Sequence, residues 1–198
     1  MNIVIVKYNA GNIQSVLFAL ERIGATATVT DDKELIQTAD KVIFPGVGEA
    51  STAMIYLKER ELDKVIVGLQ QPVLGICLGM QLLCEHSEEN NTDCLGIFKN
   101  VMVRKFNGVN TNVKVPQVGW NNIYNLKSEL FSSVDENTYC YFVHSYFAEQ
   151  NPFSIAETDY IQPYSSALKK DKFYGVQFHP EKSSKAGEEI LKNFLKIK

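Results

Sequence analysis

The stretch Pro72-Val73-Leu74-Gly75-Ile76-Cys77-Leu78-Gly79-Met80-Gln81-Leu82-Leu83 constrains this chain more than any other. Its first half is a short apolar run with Val and Ile, the composition of a buried parallel strand. Its second half spaces Leu78, Leu82 and Leu83 as a helix does. Between them stands a cysteine with a glycine two residues before it and another two residues after. That is the cysteine counterpart of the Gly-x-Ser-x-Gly nucleophile elbow, a tight turn that lifts one side chain above a sheet edge. Side chains at the two glycines would collide with neighbouring strands as the turn closes. A helix beginning just after Cys77 aims unpaired backbone N–H groups at the sulfur, which favours the thiolate form. The same residues also suit a buried structural cysteine after a core strand, so the rest of the chain has to decide.

At 198 residues the chain fits one domain with ample length for a core. Hydrophobic residues make up 45% and charged ones 22%, which is a globular and not a disordered balance. A net charge of −3 without a long basic run leaves no electrostatic footprint for nucleic acid or membrane. Met1–Lys7 lacks a basic leader segment and is too short for a signal sequence, and no apolar run approaches membrane-spanning length. Cys77, Cys84, Cys94 and Cys140 form no C-x-x-C pair and no zinc-ligand spacing, so neither a metal nor a disulfide framework is expected. The compartment reads as reducing, hence cytoplasmic.

The first half of the chain alternates strand and helix. Strands are expected at Ile3–Val6, Ala27–Thr30, Lys41–Phe44 and Val73–Ile76. Helices are expected at about 13–23, 33–39 and 49–69, the last interrupted near Arg60-Glu61, and Gly24 closes the first. The middle turns strand-like, with Gly96-Ile97-Phe98, Val101-Met102-Val103 and Val113-Lys114-Val115-Pro116, and Asn107-Gly108 reads as a hairpin turn. Tyr139–Val143 is an aromatic strand. Ile155–Thr158, Ser165–Leu168 and Phe173–Phe178 read as successive antiparallel strands, and Ser184–Lys196 as an amphipathic helix. The fold class is therefore α/β: a central, mostly parallel sheet flanked by helices on both faces, with added antiparallel strands in the C-terminal half. Without repeats, linkers or low-complexity tracts, residues 1–198 read as a single domain.

A cysteine nucleophile needs a base beside it and a third group to orient that base. Of the three histidines, His86 is expected at the far end of the helix after Cys77, a surface position favoured by the helix dipole. His144 follows a strand and could reach the same sheet edge. His179 also follows a strand and is joined to Pro180 and Glu181. Pro180 biases His179 towards extended backbone, where residues two apart point the same way, so Glu181 can hold the imidazole and leave its other nitrogen for Cys77. A polar strand-to-helix turn is the inert reading of His179-Pro180-Glu181. Pro45-Gly46-Val47-Gly48 ends another strand at the edge where open parallel sheets bind ligands. Its glycines let a backbone N–H face inward as an oxyanion donor.

Gly75-Ile76-Cys77-Leu78-Gly79-Met80-Gln81 and the late His179-Pro180-Glu181 together resemble class I (triad) glutamine amidotransferases. Pro45–Gly48, Gly119-Trp120-Asn121, Tyr141–Tyr146 and Tyr174–Ser183 are similar to the glutaminase subunits of imidazole glycerol phosphate synthase. These blocks run in that family's order along nearly the whole chain. The resemblance implies that Cys77 attacks the glutamine carboxamide, with His179 as base and Glu181 as its orienter. Leu78, Gly46 and Val47 would supply the oxyanion hole, and Gly48, Gln81, Ser145 and Tyr146 would hold glutamine. Pro45–Gly48 would be a switch needing a peptide rotation. The implied partner is a (β/α)8-barrel cyclase of histidine biosynthesis that receives the ammonia, with Asn12, Trp120 and Asn121 near the docking edge. The resemblance implies no cofactor, and no phosphate-binding glycine loop is present. Lys7-Tyr8-Asn9-Ala10-Gly11-Asn12 departs from the family's more usual Asp-Tyr-Gly at this point. Rival readings are an amidotransferase subunit of another synthase, including a paralogue serving a surface-sugar pathway, a cysteine hydrolase or deglycase of related sheet type, and a non-catalytic binding module.

Overall fold

Continuous apolar runs become the centre of the sheet in the computed structural model, which describes residues 1–9, 11–108 and 113–198. Strands β1 (Ile3–Val6), β3 (Lys41–Phe44) and β4 (Val73–Ile76) are buried at every residue, as strands covered on both faces must be. The shorter β2 (Thr28–Thr30) closes that edge. Helices α1 (Ile13–Arg22), α2 (Lys33–Gln37), α3 (Ala50–Glu59), α4 (Leu62–Val67) and α5 (Leu78–Leu83) connect and follow these strands. After α5 come β5 (Cys84–Ser87), β6 (Thr92–Asp93), β7 (Phe98–Lys105), β8 (Gln117–Ile123), β9 (Thr138–His144) and β10 (Tyr146–Ala148). The chain ends with β11 (Ser154–Tyr160), β12 (Gln162–Lys170), β13 (Phe173–Val176) and α6 (Ser184–Lys196).

Among the described residues the main sheet runs in the order β2-β1-β3-β4-β13-β12-β10-β7-β5-β6, with β11 paired to β12. The pairs from β2 through β13 are parallel, and β12 then pairs antiparallel with β13, β10 and β11. Alternation divides the core in two. Val4 and Val6 pack with Ile36, Leu57 and Ile66 on one face, while Ile3 and Ile5 pack with Val16, Leu20 and Leu191 on the other. Each such buried aliphatic side chain stabilises by roughly 1.5–3 kcal/mol. Helices therefore cover both faces, as the alternating pattern requires.

Several local expectations change. The long helical segment does break at Arg60-Glu61: Glu61 sits at φ +55 between α3 and α4, and Lys33 and Lys64 hold its carboxylate. Asn107-Gly108 does not join a hairpin, because β7 pairs with β10 and β5 while β8 pairs with β9 in a separate two-stranded sheet. The four residues after Gly108 lie outside the described residues, as does Ala10. Val113–Pro116 forms no strand; it carries a cis Val115-Pro116 bond. His86 is not on a helix, since α5 stops at Leu83 and His86 lies on β5, its Nδ1 2.8 Å from Asp93 Oδ1. Phe173–Val176 is antiparallel to β12 but parallel to β4, which carries it into the centre of the sheet.

Candidate active site

β4 delivers Cys77 at its carboxyl end, and the turn into α5 holds the residue at φ +52, ψ −109. An L residue tolerates that conformation only where its surroundings dictate it. Here the Cys77 N–H donates to Val176 O at 2.8 Å on neighbouring β13. A Cβ at Gly79 would run into the Phe44 carbonyl, and one at Gly75 would sit 2.8 Å from the Met80 amide nitrogen. The two glycines thus let α5 press against β3 and β4, and that contact makes the elbow.

β13 runs alongside β4 and brings His179 to the same edge. The His179 N–H donates to Tyr141 O at 2.8 Å, and Ser183 Oγ donates to His179 O at 2.6 Å. Glu181 reaches His179 by a different route from the one the dipeptide spacing suggests. His179 itself is extended, but Pro180–Lys182 forms a 3-10 turn that folds Glu181 back, placing its Oε1 2.7 Å from His179 Nδ1. Both side chains are buried. Asn12 Nδ2 also donates to that Oε1 and lies 3.5 Å from His179 Nδ1. Burial works against a charged His179. The charge and hydrogen bond of Cys77, followed by those of Glu181, outweigh it and raise the imidazole to about 10. A protonated imidazole between a sulfur and a carboxylate is the arrangement of an activated thiolate.

His144 is a different kind of histidine. Burial pulls it down to about 4, so it is neutral. Its Nδ1 donates to Tyr146 O at 2.7 Å, and its Nε2 lies 3.2 Å from the Tyr164 hydroxyl. With both nitrogens committed, it walls the site and does not face the sulfur as a base.

In front of Cys77 lies a cavity of about 230 Å³, of amino-acid size, lined by Val47, Gly48, Leu78, Gln81, Val143, Ser145 and Tyr146 among others. Glu89 also lines it and is not legible in the sequence, because it comes from a turn after the short β5. Burial raises the Glu89 carboxyl, opposed by the Ala50 N–H that donates to its Oε2 at 2.7 Å. Gln177 is a second residue that sequence reasoning misses; it lies in the bend just after β13, and its Nε2 donates to Cys77 Sγ at 3.6 Å. The oxyanion region differs from expectation in one respect. The Leu78 N–H, expected to face an oxyanion, instead donates to Gly46 O at 3.2 Å. Behind it, the buried Tyr8 hydroxyl donates to Pro45 O at 2.5 Å.

The remaining expected residues lie on β8. Trp120 is 52% exposed and stacks edge-on against Tyr141, with Val118, Tyr139 and Val143 exposed beside it on the same two-stranded sheet. Asn121 points to the other face, where its Nδ2 donates to Asp159 O. Among the described residues no cluster of three or more His, Cys, Asp or Glu is placed to hold a metal ion, and no helix is long and apolar enough to cross a membrane.

Residues 4–197 match the family described as glutamine amidotransferase class-I. Over the full length of both chains the sequence is 57% identical to imidazole glycerol phosphate synthase subunit HisH of Bacteroides fragilis. It is 44% identical, again over both full lengths, to the subunit of the same name in Escherichia coli. Among solved structures, one described as a glutamine amidotransferase superposes with a TM-score of 0.73 at 18% identity, covering 97% of this chain and 96% of that one, a likeness of fold.

Proposed function

The chain belongs to the class I glutamine amidotransferases, and on that premise we propose that it is the glutaminase subunit of an imidazole glycerol phosphate synthase. Full-length identity to subunits of that name selects this synthase over the other amidotransferase readings. The observation that carries the chemistry is the buried His179–Glu181 pair abutting Cys77 on the wall of an amino-acid-sized cavity.

In the proposed reaction the Cys77 thiolate attacks the side-chain carboxamide carbon of glutamine, and the carbonyl π electrons move onto oxygen. His179 gives its proton to the departing nitrogen, releasing ammonia and leaving a thioester. It then takes a proton from water, which attacks the thioester and frees glutamate and the thiolate. Glu181 holds His179 in the tautomer and orientation this needs. Leu78 N–H and Val47 N–H stabilise the oxyanion. The Gly46–Val47 peptide must rotate first, since one rotation takes the Gly46 carbonyl off Leu78 and turns the Val47 N–H inward. Gly48, Gln81, Ser145 and Tyr146 hold the substrate, and the Glu89 carboxylate suits its ammonium group.

Ammonia released into water would escape or be protonated, so the partner must receive it directly. We assign that role to a (β/α)8-barrel cyclase, in a heterodimer, in the cytoplasm. It would dock over the apolar strip of Val118, Trp120, Tyr139 and Val143, which borders the cavity through Val143. Asn12 is the polar group proposed for its margin; Asn121, on the opposite face of β8, lies away from the strip. The test is glutamate formation from glutamine with and without the cyclase and its nucleotide. A rise on adding both is expected; no rise removes the reading.

A further inference from the structure

Gln177 is fully buried, and its carboxamide joins two features that the proposed reaction treats separately: the substrate wall and the nucleophile. The direction of that connection is fixed by one atom. Tyr146 O is a backbone carbonyl and can only accept, so Gln81 must present Nε2 to it, at 2.8 Å. The same Nε2 lies 2.9 Å from the Gln177 carboxamide, which must therefore meet it with Oε1. Gln177 Nε2 is then left facing Cys77 Sγ at 3.6 Å as a donor. Turned the other way, Gln177 would lose its bond from Gln81 and put a carbonyl oxygen against the sulfur. The Gln177 backbone cannot drift to relieve this, since its N–H donates to Ser166 O at 2.8 Å.

We propose that Gln177 stabilises and aims the Cys77 thiolate by donating Nε2–H to the sulfur, its orientation imposed from the glutamine-binding wall through Tyr146 O and Gln81. This deepens the glutaminase reading and rests on it for the role of the sulfur. An N–H donor suits the thiolate better than the thiol, whose own hydrogen is directed to Val143 O at 3.7 Å. The His179 imidazole also meets the sulfur, and the charge of Cys77 acts on the phenols of Tyr8 and Tyr164, both of which burial pushes well above their ordinary value.

The test uses the full chain and needs no partner. Gln177→Met keeps the length and removes both polar ends. Gln177→Glu keeps an acceptor for Gln81 and removes the donor but adds a carboxylate beside the sulfur, so the uncharged Gln177→Met variant separates a lost donor from added charge. Urea melts check that each variant is folded. The rate of Cys77 alkylation by iodoacetamide, read at that site by peptide mass, is followed across the neutral and alkaline range. Both variants should alkylate about tenfold more slowly on the limb of the profile where the thiol predominates, the effect of losing roughly one hydrogen bond to the reactive form. Their profiles should also move to higher pH, which a purely structural role would not cause. Profiles that superimpose on the parent chain overturn the proposal, as does slowing in Gln177→Glu alone, which would report added charge and not a lost donor. The readout is independent of glutamine turnover, so a chain that hydrolyses no glutamine would fail the functional reading without touching this result.

Discussion

The Leu78 amide donates to the Gly46 carbonyl oxygen across 3.2 Å. In the proposed mechanism that bond ties up the first oxyanion donor while the loop rests in this state. Because Gly46 O and Val47 N–H belong to one peptide unit, a single rotation exchanges an acceptor for a donor at the same spot. A partner that binds the rotated form better than the resting form would raise turnover by that difference in affinity.

The loop should tolerate no side chain at its pivot. A methyl at Gly46 would run into the buried Tyr8 hydroxyl and lie 3.0 Å from Leu78 Cβ and 3.2 Å from the Gly79 nitrogen. Gly46→Ala should lower stability by roughly 1–3 kcal/mol, the usual range for overpacking. It should also reduce partner-stimulated glutaminase by on the order of tenfold or more, as expected when an oxyanion donor is misplaced. Urea midpoints and glutamate release check both. Parent-like values in the two assays would mean that the loop is not wedged in this way.

His179 should titrate far above an ordinary imidazole, and Cys77 should be the first reason. Burial lowers it, but Cys77 and then Glu181 raise it from 6.5 to about 10. Since the folded value exceeds the unfolded one, the stabilisation is fully present below 6.5 and is lost as pH rises through about 10. Imidazole NMR should find His179 protonated at neutral pH and shifted down in Cys77→Ala. That variant should also lose less stability than the parent on alkaline titration, and it should hydrolyse no glutamine. Equal His179 midpoints in the two proteins would contradict the coupling.

His144 should give the opposite sign. Burial holds it at about 4, below its ordinary 6.5, so the unfolded chain takes up a proton that the folded chain refuses. Stability should fall as pH drops from 6.5 towards 4, and His144→Gln should flatten that part of the curve. Chemical denaturation across this window is the measurement. An unchanged acid slope in the variant would assign the loss to other groups.

Trp120 is the only tryptophan and is half-exposed, so its fluorescence reports directly on the proposed docking strip. Adding the cyclase should shift the emission to the blue as the indole leaves water. Trp120→Ala should weaken binding by about 2 kcal/mol or more, as truncation of a central aromatic anchor does. An emission spectrum unmoved by a saturating partner would place the interface elsewhere.

Local chemistry carries much of this reading. The apolar runs at Ile3–Val6, Lys41–Phe44 and Val73–Ile76 announce covered parallel strands because each is too hydrophobic to leave either face in water. Gly75-Ile76-Cys77-Leu78-Gly79 announces an elbow because only glycine fits where α5 meets β3 and β4. The spacing of His179 and Glu181 pairs them correctly for a reason only half right: a 3-10 turn brings the carboxylate round, not the alternation of an extended chain.

What the sequence determined by itself was the set of parts: strands and helices set by hydrophobic period, a turn set by its glycines, and a cysteine, a histidine and a carboxylate able to work together. What only the tertiary structure decided was which groups meet across the sheet. Gln177 on the nucleophile, Glu89 in the cavity wall, Tyr8 behind the Pro45 carbonyl and Gly46 on Leu78 are contacts between segments far apart in the chain. Local propensity carries no record of them, because each exists only once β13 lies beside β4 and the loop after β3 closes over α5.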